Sequence, residues 1–481
     1  MSRTANPITR RRFVWLSAVA GGTLALGGCA DEEAKEAVDP SAATTFDEVD
    51  PDQGADSESQ TSGKADYKAI ASERLAGMTL EQKVAQLFIV APEALVDVAQ
   101  VTQAGEMTHE GITAHPVGGI VYFDQNLENT EQTTTMLGNV KQFYQEDGAV
   151  VPFLAVDEEG GSVARVAGSD GFDVQDVGDA ATLGAAGDTE AAKQAAVSIA
   201  SYLKPLGFNL DFAPVADVVD PTRSDTMGLR SFSSDAQVAA DMVRAEVQGF
   251  LSEDMLCCAK HFPGIGAAAG DSHDGAITID KTEEELDALD LVPFRAAIEV
   301  GVPMIMVGHL SLPEVVGDST PASLSAEVVQ DILRTKLGYT GIVVTDSLSM
   351  GAITDQYSSA QAAVEALRAG CDIPLMPNTF TEAYQGVLDA VAAGDLTEER
   401  IDESVLRILE AKAQYLGLEA APATGDTADE DAAGDGGDTA DDAAPSDGEA
   451  AEGAEGDGAD EGTAGDDGDA AGDGEDAGNE A

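Results

Sequence analysis

The chain has 481 residues and carries 25 Lys and Arg against 89 Asp and Glu, a formal net charge of −64. So large an excess of negative charge disfavours nucleic acid and anionic membrane surfaces as partners through simple repulsion. Both ends differ sharply in composition from the middle, so only the middle reads as globular.

At the N-terminus, Arg10, Arg11 and Arg12 precede Phe13 and an apolar run from Val14 to Leu26, short for a membrane span. This is the pattern of a signal peptide. Thr9-Arg10-Arg11-Arg12-Phe13 resembles a twin-arginine export signal, and Leu26-Gly27-Gly28-Cys29 resembles the lipobox at which a bacterial lipoprotein is cleaved and acylated. Residues 1–29 are therefore expected to be a leader, with Cys29 as the lipidation site holding an exported, cell-surface protein to the membrane. An ordinary membrane anchor is the alternative, and either reading puts the domain outside the cytoplasm. Residues 30–64, rich in Asp, Glu, Ala and Ser, are expected to be a disordered tether. Residues 417–481 are almost wholly Gly, Ala, Asp and Glu, and are expected to be a disordered, acidic, low-complexity tail. With Cys29 acylated, Cys257, Cys258 and Cys371 remain, an odd number that makes no disulfide framework, and the adjacent pair reads as small core residues.

Between residues 65 and 416, short apolar, β-rich runs alternate with helical patterns, the signature of a parallel sheet with crossover helices. Eight strand candidates follow one another: Leu87 to Val90, Gly119 to Phe123, Phe153 to Asp157, Asn209 to Val215, Met255 to His261, Met304 to His309, Ile342 to Asp346 and Asp372 to Met376. Eight in one domain predict an α/β fold of the (β/α)8 TIM-type barrel, with an open doubly wound sheet as runner-up. Apolar residues at helical spacing predict helices over Glu190 to Leu203, Asp235 to Leu251 and Thr282 to Val300. A closing helix is predicted over Thr397 to Lys412, with Thr397 as N-cap but Arg400 where a capping box needs Glu or Gln. Polar residues gather at the strand ends: Asp157, Asp217, Lys260 with His261, His309 and Asp346. In a barrel, side chains from the C-terminal strand ends converge on one mouth.

Seven segments follow in order: Met78-Thr79-Leu80-Glu81-Gln82-Lys83, the run from Ala155-Val156-Asp157-Glu158-Glu159-Gly160-Gly161 to Arg165, Phe212-Ala213-Pro214-Val215-Ala216-Asp217, Leu229-Arg230-Ser231-Phe232, Lys260-His261-Phe262-Pro263-Gly264, Asp271-Ser272-His273 and Thr345-Asp346-Ser347-Leu348-Ser349-Met350. Together, over nearly all of Met78 to Lys412, they resemble glycoside hydrolase family 3, specifically its single-domain bacterial β-N-acetylglucosaminidases.

The resemblance implies a retaining exo-β-N-acetylglucosaminidase acting on terminal β-linked N-acetylglucosamine of peptidoglycan fragments or related glycans, with neither metal nor cofactor. By it, Asp346 is the nucleophile that forms a covalent glycosyl-enzyme, and His273 with Asp271 is the acid/base pair on a Gly-rich loop after the fifth strand. Asp157, Arg165, Arg230, Lys260 and His261 are implied to bind the sugar, residue types whose carboxylate, ammonium and guanidinium groups suit hydroxyl and carbonyl oxygens. His309 is a further candidate to line the same mouth, with a satisfied core histidine at the end of a buried strand as the alternative. The sequence departs from the family pattern at Ile265, at Ser347, where a second Asp is usual, and at Ser162, where a basic residue is common. A family β-glycosidase or phosphorylase of other specificity, a metal-dependent hydrolase using His261, His273, His309 and Asp346, and a non-catalytic glycan-binding lipoprotein are the competing readings.

Overall fold

The computed structural model describes residues 66–220, 226–266 and 277–420. Cys29, the leader, the tether, the tail beyond residue 420, and Asp271 with His273 lie outside the described residues. Seven strands form one sheet in chain order: β1 (Ile89–Val90), β2 (Gly119–Tyr122), β3 (Phe153–Val156), β4 (Leu210–Asp211), β5 (Leu256–Phe262), β6 (Met304–Val307) and β7 (Ile342–Thr345). Each pairs in parallel with the next, with Ile89 opposite Gly119, Gly119 opposite Phe153, Leu210 opposite Leu256 and Met304 opposite Ile342. Parallel bridges from Val344 to Ile373 and from Ile89 to Leu375 join the last strand to the first through residues 373–375. The sheet therefore curls into the (β/α)8 barrel, and its strictly sequential order rules out the doubly wound alternative, whose strand order reverses midway.

Seven of the eight anticipated strands are present, the first of them shortened to Ile89–Val90; the eighth survives only as bridges and the fourth is cut short, for a common reason. Residues 373–375 make bridges and no continuous strand because Pro374 has no N–H to donate. The fourth ends at Asp211, yet the Cys258 and Lys260 amides still donate to the carbonyls of Ala213 and Pro214 at 2.8 and 3.1 Å. Pro214 lacks the amide a regular ladder would use. Strand residues are buried on both faces, including all seven of β5, which accounts for their unbroken apolar runs. At Gly119 a Cβ would lie 2.7 Å from the Phe153 Cβ, so the close approach of β2 and β3 requires glycine.

Helices Thr189–Leu206 and Ala236–Ser252 pack side by side outside the barrel, each begun by an aspartate, Asp188 or Asp235, whose side chain accepts two backbone N–H groups. The helix expected over Thr282 to Val300 is instead two, Glu283–Ala288 and Leu291–Glu299. The break at Leu289 (φ −131°, ψ −71°) has a cause in Pro293, whose ring would strike the carbonyl of residue 289 in a continuous helix. Thr397 caps Glu398–Tyr415, accepting from the Arg400 amide, and no capping box forms, as Arg400 dictates. Cys257, Cys258 and Cys371 are free thiols in the core. Among the described residues no helix is long and apolar enough to cross a membrane.

Candidate active site at the barrel mouth

The C-terminal end of β3 runs directly into a small hairpin, Glu158–Gly160 against Val163–Ala164. Extended backbone alternates its side chains, so Asp157 and Glu159 share one side and Glu158 takes the other. Glu158, fully buried, accepts from the Val166 and Ala167 amides and from the Tyr202 hydroxyl, all at 2.8 Å, which pins the turn that carries Arg165. Burial pushes its carboxyl above the ordinary range against the pull of those donors.

On the opposite side a connected ionic network forms. The Lys260 ammonium, from β5, donates to Asp157 at 2.5 Å and contacts Glu159 at 2.7 Å. Arg230, at the end of the short helix Thr226–Arg230, donates to both oxygens of Glu159 through Nε and Nη2 at 2.7 Å each. Glu159 is held far below the carboxylate range: burial opposes ionisation, but the charges of Lys260 and Arg230 outweigh it. The same carboxylates raise Lys260 against its own burial. Both cations are thus permanently charged.

Beside this network, His261 Nδ1 meets the buried Asp217 carboxylate at 2.8 Å, and the other Asp217 oxygen accepts from the Ile265 amide at 2.8 Å. His309, after β6, is 1% exposed. Its Nε2 lies 2.9 Å from the Ser347 carbonyl and Nδ1 2.8 Å from the Ser323 hydroxyl. A carbonyl only accepts, so Nε2 donates to Ser347 while Ser323 occupies Nδ1. Burial depresses the His309 pKa against the pull of the Asp346 charge.

Asp346 follows β7, half-buried, with its Oδ1 accepting from the Ser347 amide at 2.7 Å and its own amide donating to Val307 at 2.8 Å. Burial raises its carboxyl, but His261, His309, the Ser347 amide and Lys260 together hold it below the ordinary aspartate value. The sequence suggested Lys and Arg as the ionising neighbours; two histidines and one lysine fill that place.

Asp157, Arg230 and Lys260 thus meet in one network, and His261 and His309 face Asp346 electrostatically. Arg165 stands apart, loosely paired with Asp124 at 3.4 Å and 5.9 Å from the centre of the Phe123 ring. Its Nε is buried without a hydrogen-bond partner. Glu159, assigned no role from sequence, proves central, as does Asp217, which the sequence marked only as a polar strand end. The two-residue step from Asp157 to Glu159 was the available signal for the first; nothing local marked Asp217 as the partner of His261.

Glu246, on Ala236–Ser252, is 6% exposed, and burial, with the Glu159 charge behind it, raises its pKa from 4.5 to about 8. An acid raised on folding contributes stability that is full below its unfolded pKa and is lost as pH rises toward the folded value. Glu246→Gln is therefore expected to be more stable than the parent by about 2–4 kcal/mol at pH 7. Denaturant titrations at pH 4 and pH 7 would show the gain shrinking at the lower pH; a gain equal at both would contradict a neutral buried acid.

Comparison with known proteins agrees with this geometry. The glycosyl hydrolase family 3 N terminal domain matches residues 79–411. The chain is 33% identical over 325 residues to beta-hexosaminidase A of Pseudoalteromonas piscicida, covering 63% of this chain and 54% of that protein. It is 33% identical over 343 residues to beta-hexosaminidase LpqI of Mycobacterium tuberculosis, covering 69% of this chain and 82% of that one. Among solved structures, a family 3 beta-N-acetylglucosaminidase from Paenibacillus sp. str. FPU-7 superposes with a TM-score of 0.67 at 36% identity, over 73% of this chain and 66% of that chain. With its closed barrel, its polar strand ends and a family match across most of its length, the chain belongs to glycosyl hydrolase family 3.

Proposed function

We propose that the protein is a retaining exo-β-N-acetylglucosaminidase that removes terminal β-linked N-acetylglucosamine from peptidoglycan fragments or related glycans, exported and held at the membrane through acylated Cys29. The observation that carries this reading is Asp346, an ionised carboxylate at the end of β7 beside His261, His309 and Lys260. A nucleophile needs that charge state at neutral pH, and the mouth of a barrel is where it meets substrate. The names of the relatives, two β-hexosaminidases and a β-N-acetylglucosaminidase, support an acetamido sugar over glucose.

In this scheme Asp346 attacks the anomeric carbon while His273, oriented by Asp271, gives its proton to the glycosidic oxygen, and the bond to the leaving group breaks. His273 then takes a proton from water as that water displaces Asp346, releasing the sugar with its original anomeric configuration. Asp157, Lys260, Arg230 and His261 hold the sugar's hydroxyl and amide groups, and Arg165 takes an oxygen at the rim. The scheme uses no metal or cofactor.

The test is hydrolysis of aryl β-N-acetylglucosaminides and aryl β-glucosides by the full chain, with the first-formed anomer read by NMR. Preference for the acetamido sugar and a β product support the proposal; preference for glucose or an α product overturns it. His273→Ala is expected to slow poor leaving groups by roughly 10²–10⁴-fold and activated nitrophenolates far less, because only the former need the proton. Equal loss on both would remove His273 from the acid role.

A further inference from the structure

Glu159 joins both cations of the network and has no part in the chemistry above. Its side chain is 5% exposed, and it contacts both cations of the site, the buried Lys260 through one oxygen and the half-buried Arg230 through both. Asp157 takes the other contact of Lys260. Among the described residues two cations face two carboxylates in this network, so it is balanced before any ligand arrives. We propose that Glu159 is a positioning and specificity-determining residue: it aims Lys260 and Arg230 at an uncharged sugar and cancels the positive charge that would otherwise admit phosphate and similar anions. The inference rests on the reading of this network as the sugar-binding wall.

The physical case has two parts. A bidentate carboxylate fixes the plane of a guanidinium, and an ammonium shared between two carboxylates has its donors directed by both; without Glu159 each would keep more rotamers and bind hydroxyls less well. The second part is charge. Losing Glu159 leaves Arg230 largely buried with no carboxylate in contact among the described residues, and a desolvated guanidinium fork fits two phosphate oxygens. The intact network offers phosphate only cations already paired, with Asp346 ionised nearby. The preference for water over phosphate as acceptor follows from the same balance.

The experiment uses the full chain and its Glu159→Gln and Glu159→Asp variants, with inorganic phosphate as the probe and chloride at matched ionic strength as control. Phosphate binding is read by calorimetry, and KM and kcat on an aryl β-N-acetylglucosaminide with and without phosphate. The parent is expected to bind no phosphate and to turn over at a rate independent of it. Glu159→Gln is expected to raise KM by roughly 10–100-fold with a smaller change in kcat, and to acquire phosphate binding and competitive inhibition. Glu159→Asp keeps the charge and loses the reach, so it raises KM without acquiring phosphate binding; it also keeps the proposal testable if Glu159→Gln does not fold. Phosphate binding or phosphate-dependent turnover by the parent overturns the proposal, as does a folded Glu159→Gln with unchanged KM and no phosphate affinity, or a Glu159→Asp with unchanged KM. Calorimetry needs no turnover, so a parent inactive on the aryl substrate defeats the functional reading while phosphate binding still decides this one.

Discussion

Replacing Asp346 with Ala should lower kcat/KM on an aryl β-N-acetylglucosaminide by about 10⁴-fold or more while leaving the fold intact. The expectation comes from what surrounds the carboxylate. His261, His309, Lys260 and the Ser347 amide offset the burial that would otherwise protonate it, which keeps the carboxyl in the charge state the proposed nucleophile needs. Asp346→Asn keeps the shape and the acceptor for the Ser347 amide. It should be as inactive as the alanine variant, because the loss is one of charge and nucleophilicity. In Asp346→Ala the space left by the carboxylate admits a small anion; added azide should attack the anomeric carbon directly and yield the α-glycosyl azide as the aryl group leaves. An alanine variant as active as the parent would remove Asp346 from the nucleophile role. The acid limb of the parent's pH profile should lie below the ordinary aspartate value, since the group is held below it.

The largest effect on stability is expected at the other end of the barrel, at Asp372. Its side chain is fully buried; one oxygen accepts from Arg334 at 2.5 Å and the Val343 amide at 2.9 Å, the other from the Ser404 hydroxyl at 2.6 Å and Arg407 at 2.9 Å. This one carboxylate ties β7 to the helix Glu398–Tyr415 and to Arg334, which also donates to the carbonyls of Tyr339 and Gly341. Asp372→Ala leaves the guanidinium groups of Arg334, Arg407 and Arg400 without this anion and an interior amide without an acceptor, at a cost of about 3–5 kcal/mol. Thermal unfolding should fall by roughly 5–15 °C, with kcat of the remaining folded protein unchanged. A small shift in melting temperature would mean that water replaces the carboxylate, and a large fall in kcat would mean that this face communicates with the mouth.

Much of the barrel was legible because its strands are buried on both faces and so appear as unbroken apolar runs ending in polar residues. Gly119 to Tyr122 and Ile342 to Thr345 are such runs, and their ends were placed within a residue or two. The helix expected over Thr282 to Val300 failed because apolar spacing persists across Leu289 and Asp290 while the backbone does not. Pro293 carried that information, four residues beyond the carbonyl it would strike. The family motifs singled out Lys260, Asp157 and Arg230, and the structure brings the three together. That all three are tied together by Glu159 was not legible in the sequence.

The sequence by itself determined the order of the strands, the residue types at their ends and the family, because burial on both faces and a chain of short motifs leave marks within a few residues of each site. Only the tertiary structure decided which charge meets which. Lys260 finds Asp157 across 103 positions, Arg230 finds Glu159 across 71, and His261 finds Asp217 across 44. Such pairings depend on the curl that brings separate strand ends to one mouth, and electrostatic contact acts through space with no periodicity along the chain to announce it.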